Sequence, residues 1–163
     1  ISIMRGTPLM LQLLVVYFGP YYLFEMSIRN YRFTAVILGF VINYAAYFAE
    51  IFRGGIESMS QGQYEAAEVL GYSRTQCFFR IILPQVVKRV LLPVSNEVIT
   101  LVKDTSLANI IAVSELFRAA KNEASRTASV EPLFVAGLFY LAMNGVVTLV
   151  FSYLTKKMDY YKD

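Results

Sequence analysis

Three long stretches without a charged side chain constrain this 163-residue chain more than any other feature: residues 6–24, 33–49 and 132–154. A helix that crosses the hydrocarbon core of a bilayer needs about 20 predominantly apolar residues, and the third stretch alone satisfies this requirement. Hydrophobic residues form 56% of the chain and charged residues 17%, whereas a typical soluble domain has roughly 45–50% and about 25%. The sequence therefore predicts an all-α fold, a multi-span transmembrane helical bundle in which residues 1–163 form one domain.

A fourth predicted span, residues 90–114, is apolar at both ends but carries Glu97, Lys103 and Asp104. The alternative is a buried helix of a soluble protein, which the three uncharged neighbours disfavour. Ionisable side chains inside a span indicate a functional role. Because the chain starts at Ile1 without an initiator methionine, we expect a fifth span to precede the four that are visible.

The single cysteine, Cys77, and the absence of histidine limit the chemistry of the chain. They exclude histidine-based catalysis, most zinc sites and an intrachain disulfide. The sequence also contains no glycine-rich phosphate-binding loop of the Lys-Ser/Thr kind. We therefore predict no metal, no cofactor and no nucleotide bound by this chain itself.

The loop at residues 53–89 is rich in Lys and Arg. Since cytoplasmic loops carry an excess of these residues, we expect this loop to face the cytoplasm. Gly54 and Gly55 predict a close-packed bend where the preceding span enters it.

Two short helices are predicted inside this loop. Capping-box patterns occur at residues 60–63 (SQGQ) and 73–76 (SRTQ), and each should begin a helix. Gly71 is suited to end the first helix, and Pro84 disfavours an unbent continuation of the second.

The first of these helices places Ala66 and Ala67 beside Glu65 and Glu68, a small surface with carboxylates at its edge that suits a protein partner. One alternative is an ordinary solvated loop. Another is a helix-turn-helix DNA-binding unit, in which residues 74–83 would form the recognition helix. The apolar side chains of that segment argue against contact with DNA.

Short motifs in a fixed order run through the whole chain. They are RGTPL at 5–9, AEIFRGGI at 49–56, EAA at 65–67 with Gly71 and IILP at 81–84, KDTSL at 103–107, ELFR at 115–118 and DYY at 159–161. Together they resemble the permease subunits of bacterial ATP-binding cassette importers, in the branch that takes up polar amino acids. The EAA segment resembles the loop that carries the coupling helix of that family.

The resemblance implies that the loop at 57–85 docks onto a cytoplasmic ATPase. The residues assigned to this contact are Glu65, Ala66, Ala67, Gly71 and Arg74. It also implies that ATP is bound and hydrolysed by a separate pair of ATPase subunits, so that this chain is not an enzyme.

Further partners implied by the resemblance are a second permease, identical or related, membrane lipid, and an extracytoplasmic substrate-binding protein or domain near the outer loops 25–32 and 107–131. No nucleic acid is expected. The implied location is the inner (cytoplasmic) membrane of a bacterium, as a multi-pass protein. The alternatives that stay open are a membrane-anchored helix-turn-helix regulator and a secondary transporter, which needs no ATPase.

Polar residues of the fourth span are the candidates for binding an amino acid. At 100° per residue, a single arc of roughly 120° contains five polar or charged positions: Asn96, Glu97, Thr100, Lys103 and Asp104. With the two hydroxyl residues that follow, the substrate-binding candidates are Asn96, Glu97, Thr100, Lys103, Asp104, Thr105 and Ser106.

An amino-acid zwitterion needs acceptors for its ammonium group and donors for its carboxylate, and these side chains supply both. Thr105 and Ser106 suggest a break with a new N-cap, whose free N–H groups would face a carboxylate. The alternative is that Lys103 and Asp104 lie at the outer interface, where the lysine reaches water. Asn43, Tyr44 and Tyr47 are weaker candidates, since such residues more often form hydrogen bonds between helices.

Overall fold

The computed structural model describes residues 1–28 and 30–158, and every regular element in these ranges is helical. This confirms the predicted all-α fold. The DYY motif at 159–161 lies outside the described residues.

The first uncharged stretch contains a break. A short helix, α1 (Ser2–Arg5), ends at Gly6, and α2 (Leu9–Phe24) begins after Pro8, whose backbone is extended. Proline at this position lacks an N–H donor, so it suits the start of a helix and not its interior. The helix α3 (Arg32–Glu57) contains the second uncharged stretch and continues beyond it.

The helices α3 and α8 (Glu131–Lys157) are long and apolar enough to cross a bilayer, whereas α2 is apolar but shorter. In the most apolar segment of α8, only 6% is buried against the rest of the chain. A soluble protein rarely exposes an apolar surface of this size. Lipid or another subunit therefore has to cover α8.

The loop at 57–85 contains α4 (Gln61–Val69) and α5 (Arg74–Cys77), and α5 continues through a π-helical turn (Phe78–Ile82) into α6 (Leu83–Asp104). The second helix thus continues past Pro84, but through a π turn and not as an unbroken regular α-helix. A proline ring clashes with the carbonyl four residues earlier in a regular α-helix, and the wider π turn just before Pro84 relieves this clash. Because the segment runs directly into α6, it is not a free recognition helix.

A 3₁₀ helix (Thr105–Ile111) follows α6, and α7 (Leu116–Thr127) then leads into α8. Within this bundle α6 packs against both α3 and α8, and α2 packs against α3. The fourth predicted span is thus an α-helix up to Asp104 and a 3₁₀ helix beyond it.

The α3–α6 contact depends on Gly55. A Cβ atom at this position would lie 2.3 Å from Cγ1 of Val90 and 3.3 Å from Cγ1 of Val86. Gly54 has no atom within 4 Å of such a Cβ. Close packing is therefore confirmed at Gly55, and α3 continues through both glycines to Glu57.

Candidate functional site

A buried cluster packs the loop at 57–85 against the first half of α6. Its members are Met59, Ala67, Cys77, Ile82, Val86 and Val90. Ala67 is 2% exposed, while Glu65, Ala66 and Glu68 are exposed. The expectation of a shared outward surface therefore holds for Ala66 but not for Ala67, whose small side chain lets α4 approach the cluster.

The ends of the loop helices agree only in part with the sequence patterns. Ser73 and Gln76 form the predicted capping box, with reciprocal hydrogen bonds of 3.3 and 3.0 Å. Gly71 follows the end of α4 with φ of +78°, as expected of a C′ glycine.

Ser60 is the N-cap of α4, but its side chain makes no capping hydrogen bond. The partner expected for the cap, Gln63, instead exchanges two hydrogen bonds with Gln85, of 3.0 and 2.9 Å. Gln63 therefore connects α4 to the start of α6 rather than closing a capping box.

A groove of about 690 Å³ opens between α4 and α5. It is lined by Tyr64, Glu65, Glu68, Tyr72, Ser73, Arg74, Cys77 and Phe78. The structure thus brings two of the predicted coupling residues, Glu65 and Arg74, to the same groove. Its two carboxylates and its aromatic rings suit a basic side chain from a partner protein.

The polar arc of α6 separates into two rows. Glu97 and Asp104 are two helical turns apart and face α3, where the Tyr44 hydroxyl donates a 2.8 Å hydrogen bond to Asp104. Asn96 and Lys103, also two turns apart, are exposed.

Three hydroxyl groups near the arc bond to backbone carbonyls of α6. Thr100 donates to the carbonyl of Asn96 at 3.0 Å, Thr105 to that of Val102 at 2.7 Å, and Ser106 to that of Lys103 at 2.8 Å. The expected N-cap at Thr105 and Ser106 is wrong. Their side chains close the C-terminal end of α6, and the 3₁₀ helix follows without a break.

The break between α1 and α2 is held by a buried polar pair. The Nε2 of Gln12 donates to the carbonyls of Met4 and Thr7 at 2.7 and 3.0 Å. Asn43 of α3 donates to Gln12 Oε1 at 3.0 Å. This confirms the interhelical role expected for Asn43, and it satisfies carbonyls that the break leaves free.

A cleft of about 510 Å³ lies between α3 and α6, with α1 at its edge; we call it the α3–α6 cleft. It is lined by Arg5, Tyr47, Glu50, Ile51, Gly54, Gly55, Ser58, Arg89, Val90, Pro93 and Glu97. Arg5 forms a 3.5 Å ion pair with Glu50, and its guanidinium lies 5.7 Å from the ring centre of Tyr47. Among the described residues, no three His, Cys, Asp or Glu side chains converge as a metal site would require.

Glu115 caps α7. Its carboxylate accepts from the backbone N–H groups of Phe117 and Arg118, each at 2.6 Å, and from the Tyr140 hydroxyl at 3.3 Å. The last contact links α7 to α8. In the same helix, a hydrogen bond from Arg126 holds the pKa of Glu123 below its usual value.

Residues 1–160 match the family described as the binding-protein-dependent transport system inner membrane component. The chain belongs to this family of permeases.

Relatives of this permease are named for amino acid transport. It is 35% identical over 158 residues to the arginine transport system permease protein ArtQ of Bacillus subtilis (strain 168), covering 96% of this chain and 71% of that protein. It is 36% identical over 160 residues to the glutamine transport system permease protein GlnP of Escherichia coli (strain K12), covering 98% and 71%. A crystal structure of an amino acid ABC transporter with histidines superposes with a TM-score of 0.85 at 34% identity, covering 96% of this chain and 72% of that one.

Sequence reasoning missed two parts of the permease. One is the Gln12–Asn43 pair, and the other is the approach of Arg5 to Glu50 in the α3–α6 cleft. The break at Gly6 to Pro8 was a signal for the first, since a proline in an apolar stretch leaves carbonyls that need donors. The second depends on α1 folding against α3, which no local pattern indicates.

Proposed function

We propose that this permease is the membrane-spanning subunit of an ATP-driven amino acid importer of a bacterial inner membrane. The observation that carries the proposal is its likeness, at 34% identity over 96% of the chain, to the structure of an amino acid ABC transporter. In this function the chain hydrolyses nothing and binds no cofactor. It converts the opening and closing of separate ATPase subunits into alternating access of a pathway.

The pathway needs polar groups at membrane depth, and α6 supplies them. Asp104 and Glu97 are the acceptors for the ammonium group or for a cationic side chain of the substrate, and Asn96 and Lys103 are donors for its carboxylate. The hydroxyls of Thr100, Thr105 and Ser106 bond to their own helix. For these three residues a direct contact with substrate is therefore the weaker part of the proposal.

The coupling loop at 57–85 is the proposed contact with the ATPase pair. The exposed Glu65, Ala66 and Arg74 contribute side chains to that contact. Gly71 ends α4, and the buried Ala67 lets α4 pack closely against the cluster beneath it. A second permease completes the pathway, lipid surrounds the bundle, and a substrate-binding protein docks at the outer loops 25–32 and 107–131.

Uptake into proteoliposomes tests the proposal. The permease is purified with the ATPase that accompanies it, reconstituted together with the substrate-binding protein, and offered radiolabelled L-arginine, L-glutamine and L-cystine with ATP inside or outside. We expect ATP-dependent accumulation of at least one of these amino acids. Accumulation that does not depend on ATP would support a secondary transporter instead. Absence of uptake of any amino acid would overturn the proposed substrate class.

A further inference from the structure

The guanidinium groups of Arg5, Arg53 and Arg89 lie at or beside the α3–α6 cleft, and they differ in the number of hydrogen bonds that they donate. Arg53 donates to Glu57 at 2.9 and 2.8 Å and also binds Glu50. Arg89 donates to the carbonyl and the hydroxyl of Ser58, at 2.8 and 3.1 Å. Within the described residues, the Arg5 guanidinium makes an ion pair with Glu50 and a contact with the Tyr47 ring, but donates no side-chain hydrogen bond. Arg5 is the least constrained of the three.

The two carboxylates that line the cleft, Glu50 and Glu97, also differ in their partners. Glu50 is bound by Arg53 whether or not Arg5 is present. Glu97 is half-buried and lines the same cleft, but no hydrogen bond or ion pair reaches it from the part of the chain that the structure describes. A carboxylate without a partner at membrane depth is unfavourable, and it attracts any cation that can reach it.

Glu50 and Glu97 lie at a similar depth on antiparallel helices. The contact between Gly55 and Val90 fixes their register. Glu50 is five residues from Gly55, and Glu97 is seven residues from Val90. At 1.5 Å per residue these positions are roughly 8 and 10 Å from the contact.

Hydrogen bonds anchor the backbone next to Arg5, whereas its side chain is held only by a 3.5 Å ion pair and a ring contact. Gln12 holds the carbonyls of Met4 and Thr7, and Asn43 holds Gln12. The Arg5 side chain is 41% exposed. A change of side-chain rotamers therefore moves the guanidinium within the cleft without moving α1.

We propose that Arg5 is a mobile counter-ion that moves between Glu50 and Glu97 and thereby helps to release a cationic group from Glu97. The proposal rests on the proposed function, in which Glu97 accepts the ammonium group or a cationic side chain of an amino acid. While Arg5 pairs with Glu50, as it does in this structure, Glu97 is open to the cationic group of the substrate. As the substrate leaves towards the cytoplasm, the guanidinium takes its place at Glu97 and hinders its return.

Substitution of Arg5 tests this role in the complete complex, reconstituted in nanodiscs with its ATPase. Arg5→Gln removes the competing cation but leaves Glu50 paired with Arg53, and Arg5→Lys is the matched control that keeps the charge. Without ATP, we expect Arg5→Gln to bind radiolabelled L-arginine or L-glutamine about fivefold more tightly, the factor that a partly exposed ion pair contributes. Its maximal rate of ATP-driven uptake should fall, and Arg5→Lys should stay near the wild type.

The same substitution in a Glu97→Gln background shows whether the effect acts through Glu97. We expect Arg5→Gln to leave the affinity unchanged there. An effect that persists in this background, or an unchanged affinity in the wild-type background, would overturn the proposal. If Glu97→Gln itself transports normally, the binding role of Glu97 fails as well. If Glu97→Gln is impaired but Arg5→Gln binds like the wild type, only the counter-ion proposal fails.

A cross-linking measurement needs no substrate. In a Cys77→Ala background, cysteine pairs at positions 5 and 50 and at positions 5 and 97 are treated with a short bifunctional methanethiosulfonate. Both pairs should cross-link. Cross-linking of 5 with 50 but never of 5 with 97, in any nucleotide state, would show that position 5 does not reach Glu97.

Discussion

At the scale of single residues, the hydrogen bond from Tyr44 of α3 holds the carboxylate of Asp104 of α6 between these two helices. A hydrogen bond to a charged group contributes about 1.5–3 kcal/mol, and about 1.4 kcal/mol corresponds to a tenfold change in affinity. We therefore expect Asp104→Asn, which keeps the shape but not the charge, to weaken the apparent affinity for substrate about tenfold. Concentration-dependent uptake into proteoliposomes measures this.

Two matched variants interpret that result. Lys103→Met should also weaken the affinity, because the proposed function makes this lysine a donor for the substrate carboxylate. Normal transport by this variant would show that the lysine only reaches the interface. Tyr44→Phe removes the donor to Asp104 but keeps the carboxylate, so its loss should be smaller than that of Asp104→Asn. If Asp104→Asn and Glu97→Gln both transport like the wild type, the polar arc is structural and the substrate binds elsewhere, with Asn43 and Tyr47 as the next candidates.

Adjacent glycines supply a second prediction at the residue scale. A methyl group at Gly55 would lie 2.3 Å from Val90, whereas one at Gly54 meets no atom within 4 Å. Overpacking of this kind costs about 1–3 kcal/mol. We expect Gly55→Ala to lower the thermal denaturation midpoint of the purified protein and Gly54→Ala to leave it almost unchanged.

The double variant Gly55→Ala with Val90→Ala makes room for the added methyl group and should recover part of the lost stability. Equal midpoints for the two single variants would show that α3 and α6 are not in close contact at this point.

At the scale of elements, α4 presents two neighbouring alanines with opposite environments. Ala66 is exposed, and Ala67 belongs to the buried cluster with Cys77 and Ile82. We expect Ala66→Glu to weaken co-purification of the ATPase without changing thermal stability. Ala67→Glu would bury an unpaired charge, which costs several kcal/mol, so it should lower stability and ATPase binding together. If Ala66→Glu retains the ATPase and transports normally, α4 is not the coupling surface.

Sequence patterns predicted those helices and helix ends that depend on residues close together in the chain. The apolar stretch at 132–154 became α8, and the residues Ser73 and Gly71 delimit the loop helices as expected. The course of the chain at Pro84 was not predicted, because the π turn that accommodates the proline depends on the packing of Cys77 and Ile82. The same limit applies to Ala67, since a sequence shows that a side chain is small but not which way it faces.

At the scale of the whole molecule, the apolar surface of α8 and the excess of Lys and Arg in the loop at 53–89 together predict the orientation in the membrane. The exposed residues Gln61 and Asn122 lie on α4 and α7, which the prediction places on opposite sides. A single cysteine at each position, in a Cys77→Ala background, reports its side through a thiol reagent that does not cross membranes. We expect position 61 to react only when the cytoplasmic face is accessible, and position 122 only from outside, because the positive residues of the loop stay inside. Labelling of position 61 from outside would reverse the orientation and place the groove between α4 and α5 beyond the reach of any cytoplasmic ATPase.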